Sequence, residues 1–183
     1  YAELHFGLQR PRSLHSFDSS GSVLLCSSFS KCLSRDLRLG WIAPGKYMEK
    51  IKRLQVVTSL ATSSSLQQGL ADYMQQGLYE RYLRQRRQQL AKQCYQLQQL
   101  LPQLFPQARS WTSPQGGLSL WLELPVSVNT TALYHRAQEL GITITPGALF
   151  TSQQQYGHCL RLSFAHQWTA PRIAALRTLS TLV

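Results

Sequence analysis

Acidic residues are the scarce class in this chain: 8 Asp and Glu face 19 Lys and Arg, a formal net charge of +11 over 183 residues. Such an excess suits anionic partners, whether nucleic acid, a phosphate-bearing cofactor or a carboxylate ligand, and it does not choose among them. Long apolar runs are missing too. None approaches the roughly 18 residues of a membrane span, and no basic stretch followed by an apolar one directs secretion. Cysteine is sparse. Cys26, Cys32, Cys94 and Cys159 form no C-x-x-C pair, which fits a reduced, cytoplasmic setting. The 5 histidines show no H-x-x-x-H spacing, so no metal centre is expected. No G-x-S-x-G elbow marks a serine hydrolase. Gly40 to Tyr47 nearly spells a phosphate loop, but Tyr47 replaces the metal-binding hydroxyl and Pro44 removes a backbone donor.

What is present centres on Ser27 to Trp41, SSFSKCLSRDLRLGW. The apolar run Val23-Leu24-Leu25-Cys26 before it reads as one buried strand, and Leu39 to Ala43 as a second. Between them a hydroxyl-rich turn carries Lys31 and, seven residues on, Arg38. Hydroxyls and a guanidinium fork suit a phosphate. A lysine whose stem sits in apolar surroundings can lose its proton and form a Schiff base. A lone lysine is by default a solvated charge; here the full pattern S-x-S-K-x-L-x-x-x-x-R-x-G-W between two apolar runs argues otherwise.

That pattern resembles the cofactor-lysine motif of the fold-type I aminotransferases, which use pyridoxal 5'-phosphate. The resemblance implies that Lys31 bonds the cofactor and that Ser28 and Arg38 bind its phosphate, with Ser30 a further contact. Arg35-Asp36 stands where many relatives have Pro-Gly. It also implies that the Tyr1 hydroxyl donates to the cofactor ring oxygen, with an Asp for the ring nitrogen three residues before Tyr1, outside the chain. With Tyr1 in place of an initiating methionine, the chain reads as a fragment of a longer protein.

Downstream, helical sequence runs from about Lys46 to about Leu104, with Gly69 and Gly77 as joints. From Leu78 the apolar residues Tyr79, Tyr82, Leu83, Leu90, Cys94, Leu97 and Leu101 recur by three, four or seven, which makes one buried stripe. Arg81, Arg84, Arg86, Arg87 and Lys92 lie off that stripe, by default as a solvated face and alternatively as a contact for DNA or another acidic surface. Prolines 102, 106 and 114 place a domain boundary near 105–116. Strands are expected at Gly116–Leu124, Ile142–Thr145 and Cys159–Phe164. Helices are expected from Asn129 or Thr130 to Leu140 and from Thr169 onward. The segments P-x-G-G-x-x-x-W and G-I-x-x-x-P-G-x-x-F resemble the small domain of the same family. There Arg161, in R-L-S-F-A, would clamp an amino acid's α-carboxylate.

The expected fold class is therefore α/β. Residues 1–105 would be the later part of the large domain, with a mostly parallel sheet, and 106–183 a small α+β C-terminal domain. The wording L-C-S-S-F-S-K, L-W-L-E-L-P and C-L-R-L-S-F-A looks most like the MocR group of bacterial regulators, which join a GntR-type DNA-binding domain to an aminotransferase-like one. This implies a sensor that binds pyridoxal phosphate and an amino acid or amine, a DNA partner reached through an upstream domain, and a homodimer. The alternatives are a stand-alone aminotransferase and, from a different class, a basic helical binding module in which the lysine motif is accidental.

Overall fold

The computed structural model describes residues 2–153 and 155–183. The chain forms two compact units, the first ending at Arg87 and the second running from Gln88 to Val183. The cut falls within one long helix; the 105–116 stretch lies inside the second unit. No helix among the described residues is long and apolar enough to cross a membrane.

In the first unit, β1 (Leu25–Ser28) pairs antiparallel with β2 (Gly40–Ala43), from Leu25↔Ala43 to Ser28↔Gly40. The strand expected at Val23–Cys26 is shifted two residues on, and neither strand is buried: Trp41 and Ile42 are 39% and 38% exposed. No third strand joins the ribbon among the described residues, so the parallel pairing expected here is not what this span contains. A short connection between two strands permits only antiparallel pairing, because a parallel neighbour needs a crossover of about a dozen residues or more. Gly40 is required by the close approach: a Cβ there would sit 2.8 Å from the Ser27 carbonyl oxygen.

Three helices follow a single turn at Gly45–Tyr47: α2 (Met48–Ser59), α3 (Ser64–Gln75) and α4 (Leu78–Leu104). Here α1 is the short helix Phe29–Cys32 described below. Gly77, at φ +69°, is a joint as expected. Gly69 is not; it lies inside α3, where nothing comes within 4 Å of a Cβ built there. The other break is at Leu60 to Ser63, where Ser63 caps α3 by accepting from the Leu66 N–H at 3.4 Å. Of the stripe on α4, Tyr79, Leu83, Leu90, Cys94, Leu97 and Leu101 are buried, while Tyr82 is half-buried. Pro102 sits within the last turn of α4 rather than ending it.

The second unit holds a four-stranded antiparallel sheet in the order β3-β4-β6-β5. Its strands are β3 (Ser110–Trp111), β4 (Ser119–Glu123), β5 (Thr145–Pro146) and β6 (Cys159–Ser163). Leu120, Leu122, Leu160 and Leu162 are buried from one side of the two central strands, as alternation requires. The strand expected at Ile142–Thr145 is shorter and later, because it pairs with β6 only through Thr145↔Arg161 and Pro146↔Leu160. Helix α5 (Thr130–Glu139) is capped by Asn129, whose Oδ1 accepts from the N–H groups of Thr131 and Ala132 at 3.0 Å each. Helix α6 (Ala170–Thr181) starts with proline in its first turn and buries Leu176 and Leu179.

Candidate functional site

The loop between β1 and β2 is built from its caps inward. Ser28 ends β1 in an extended conformation and caps α1 (Phe29–Cys32) through its hydroxyl, which accepts from the Ser30 N–H at 3.2 Å. Phe29 and Cys32 are three apart, so they share a face. That face is buried, with Phe29 8% and Cys32 2% exposed. Ser30 and Lys31 fall on the opposite side, and Lys31 is exposed.

Two contacts hold the buried face. The Phe29 ring meets the Tyr79 ring edge-on at 5.9 Å. The Cys32 Sγ and the Tyr79 hydroxyl lie 3.2 Å apart, and Cys32 Sγ–H also reaches the Ser28 carbonyl at 3.5 Å. Burial first, then the adjacent Cys32 thiol, push the Tyr79 phenol above its usual range. Leu4, Leu39 and Leu83 are buried in the same unit.

The loop closes on itself. The Phe29 N–H donates to the Leu39 carbonyl at 3.0 Å, and the Ser28 hydroxyl reaches the same oxygen at 3.4 Å. Ser34 caps the 3₁₀ turn Arg35–Leu37 by accepting from the Asp36 N–H at 3.2 Å. Arg38 then takes a left-handed conformation, φ 49° and ψ 32°, which costs a side-chain-bearing residue roughly 1–2 kcal/mol. The structure thus brings Ser28, Ser30, Lys31 and Arg38 onto one closed loop. Lys31 and Arg38 are both exposed, and neither has a carboxylate partner among the described residues. Lys31 is not set in apolar surroundings as it stands; the apolar side of α1 belongs to Phe29 and Cys32. Tyr1 lies outside the described residues.

Arg161 stands by itself in the second unit. It lies on β6 opposite Trp121 of β4 and Thr145 of β5, on the face away from Leu160 and Leu162, and is exposed. Its guanidinium sits 5.1 Å from the centre of the Phe150 ring. Phe150 and Tyr156 each meet Trp121 edge-on, at 5.4 and 5.6 Å. Three aromatic rings therefore gather on the arginine's side of the sheet. The sequence marks Trp121 only by its place in an alternating strand, and Phe150 only by the turn before it.

The basic residues of α4 divide. Arg81, Arg84 and Lys92 are exposed. Arg87 is not part of a solvated face, since its Nε donates to the Glu3 carbonyl at 2.7 Å. No His, Cys, Asp and Glu cluster fit for a metal occurs among the described residues, and all 4 cysteines are free thiols.

Comparison with known proteins matches residues 1–174 to the model of aminotransferase classes I and II. The chain is 37% identical, over its full 183 residues, to YdcR, an HTH-type transcriptional regulator of Escherichia coli strain K12, and spans 39% of that protein. It is 35% identical to a second regulator of the same strain, YjiR, over 90% of this chain and 35% of that one. Among solved structures it matches LysN, the α-aminoadipate aminotransferase of Thermus thermophilus, complexed with N-(5'-phosphopyridoxyl)-L-leucine. There the TM-score is 0.88 at 26% identity, over 100% of this chain and 48% of that one. The chain thus covers well under two thirds of the relatives it matches. The family match takes in both the lysine loop and the strand of Arg161, and on it this chain is a member of the class I and II aminotransferase family.

Proposed function

We propose that this chain is the pyridoxal-phosphate-binding, amino-acid-sensing part of a GntR/MocR-type transcriptional regulator. The observation that carries the reading is the closed loop Phe29 to Leu39, which offers an amine and a guanidinium with no carboxylate paired to either among the described residues. The likeness to YdcR and YjiR supports the regulatory half of the proposal. The residue roles rest on position in the motif. The residues 1–105 and 106–183 are taken as the later part of the large domain and as the small domain.

The donor set fits the cofactor. Arg38 would hold the phosphate through its planar fork, and Ser28 and Ser30 would add hydroxyls. When bound, pyridoxal phosphate supplies an aldehyde that condenses with amines and a ring that draws electrons from the bound Cα. Lys31 Nζ would be the nucleophile that holds the cofactor and the base placed to take and return a proton at the ligand's Cα. Arg161 would bind an amino acid's carboxylate by two N–H donors, on the order of 1.5–3 kcal/mol. A stand-alone aminotransferase is the second reading, favoured by the likeness to LysN. Titration of the full-length protein with pyridoxal phosphate, followed by visible absorbance, tests the first step. The wild type is expected to develop a new band that Lys31→Ala does not; equal spectra would count against the proposal.

A homodimer is part of the same proposal. Helix α2 buries none of its residues, and Leu54, Val56, Val57 and Leu60 are 57%, 60%, 83% and 80% exposed. A helix of 12 residues is marginal alone in water, and an apolar surface of this kind is covered in a stable protein. Sedimentation should give a dimer that Val57→Lys shifts to monomer; a monomeric wild type would refute the pairing.

A further inference from the structure

The buried side of α1 borders a cavity of about 670 Å³ whose lining lies wholly in the first unit. Its deep walls are Phe29, Tyr79 and Leu83, all buried. Trp41 and Met74, both exposed, stand at its mouth. The Tyr79 hydroxyl already lies against the Cys32 thiol, so this residue offers the cavity ring surface rather than a polar tip. Lys31 and Arg38 line no part of it. The volume falls in the range of small-molecule sites, roughly 300–1,000 Å³. Acidic residues number only 8 in the whole chain, yet Glu3 and Glu80 both line this one cavity. Glu3 is half-buried, and its carboxylate has no cationic partner among the described residues. Arg87 is half-buried too. Its Nε–H donates to the Glu3 carbonyl at 2.7 Å, and its guanidinium pairs with no carboxylate among the described residues. A half-buried charge kept from any counter-ion gives up hydration without a return. Two such charges of opposite sign on one aromatic cavity are complementary to a ligand that carries both.

We propose that this cavity binds a zwitterion with an aromatic body, the chemistry of a free aromatic amino acid. Glu3 receives the ammonium, which the face of the Trp41 ring also attracts. Arg87 takes the carboxylate through the N–H groups it has left. Phe29, Tyr79 and Leu83 cover the ligand's ring. The site is distinct from the outward side of α1 that carries Lys31, and it does not rest on the cofactor reading.

The test uses the full-length protein carrying Lys31→Ala and Arg161→Gln, free of pyridoxal phosphate, so that the proposed cofactor and carboxylate sites hold no amino acid. Calorimetric titration with L-phenylalanine should show saturable binding. Phenethylamine and 3-phenylpropionate each lack one of the two charges. Each should bind at least about tenfold more weakly, through the loss of one charge-assisted hydrogen bond. In the same background Glu3→Gln should weaken L-phenylalanine about tenfold. Met74→Trp, which fills the cavity from its exposed mouth, should abolish binding. Melting curves check that the variants fold, and the two analogues need neither of these cavity substitutions. Absence of saturable binding would overturn the assignment, as would binding that survives both Glu3→Gln and Met74→Trp. Equal affinity for either analogue would overturn the zwitterion class.

Discussion

Replacing Arg38 by glycine should weaken pyridoxal phosphate binding about ten- to hundredfold without lowering the stability of the chain. The two effects come from different parts of the residue. The side chain is the proposed phosphate ligand, and a hydrogen bond to a charged group contributes on the order of 1.5–3 kcal/mol. The backbone is in the left-handed region at φ 49°, which costs a residue with a Cβ roughly 1–2 kcal/mol. Glycine removes that cost and returns about 0.5–1 kcal/mol of it as extra freedom in the unfolded chain. Arg38→Lys keeps both the charge and the strain but loses the fork, so its binding should fall between the two. Melting curves paired with cofactor titrations measure both quantities. A glycine variant that binds as tightly as the wild type would remove Arg38 from the site.

Phe29→Ala should be the most damaging single change in the first unit, destabilising by about 3–5 kcal/mol. Phe29 is 8% exposed and meets Tyr79 edge-on at 5.9 Å, a contact that adds about 0.5–1.5 kcal/mol beyond area burial. The damage should also reach function. Helix α1 has only 4 residues, too few to persist without its buried side. Losing the ring leaves Cys32 alone to anchor the segment that carries Lys31. Phe29→Leu should recover most of the stability and the cofactor absorbance. If Phe29→Ala melted like the wild type, the loop would owe its shape to something other than this packing.

The lysine loop is legible as a loop because Ser28, Lys31 and Arg38 fall on one segment whatever the strands beside them do. The α4 stripe was readable for a related reason, since a period near 3.6 repeated over many turns leaves few alternatives. The strands were less so. A run such as Val23 to Cys26 says apolar, not which register it takes, and the ribbon uses Leu25–Ser28 instead. Gly69 was misleading because one glycine costs a helix only about 1 kcal/mol against alanine, too little by itself to break α3. The hydroxyl run Thr62 to Ser65, which supplies a helix cap, was the better signal for the break. Arg87 looked like one more surface charge, because the Glu3 carbonyl it binds is distant in sequence. The aromatic surroundings of Arg161 depend on strand pairing, through Trp121↔Arg161, which no local pattern encodes.

One measurement bears most directly on the proposed chemistry. The full-length regulator proposed to carry this chain is incubated with pyridoxal phosphate, reduced with borohydride, digested and mapped by mass spectrometry. The account predicts one stoichiometric pyridoxyl label, on Lys31, that Lys31→Ala abolishes. A label spread over surface lysines, or fixed on a different one, would contradict it.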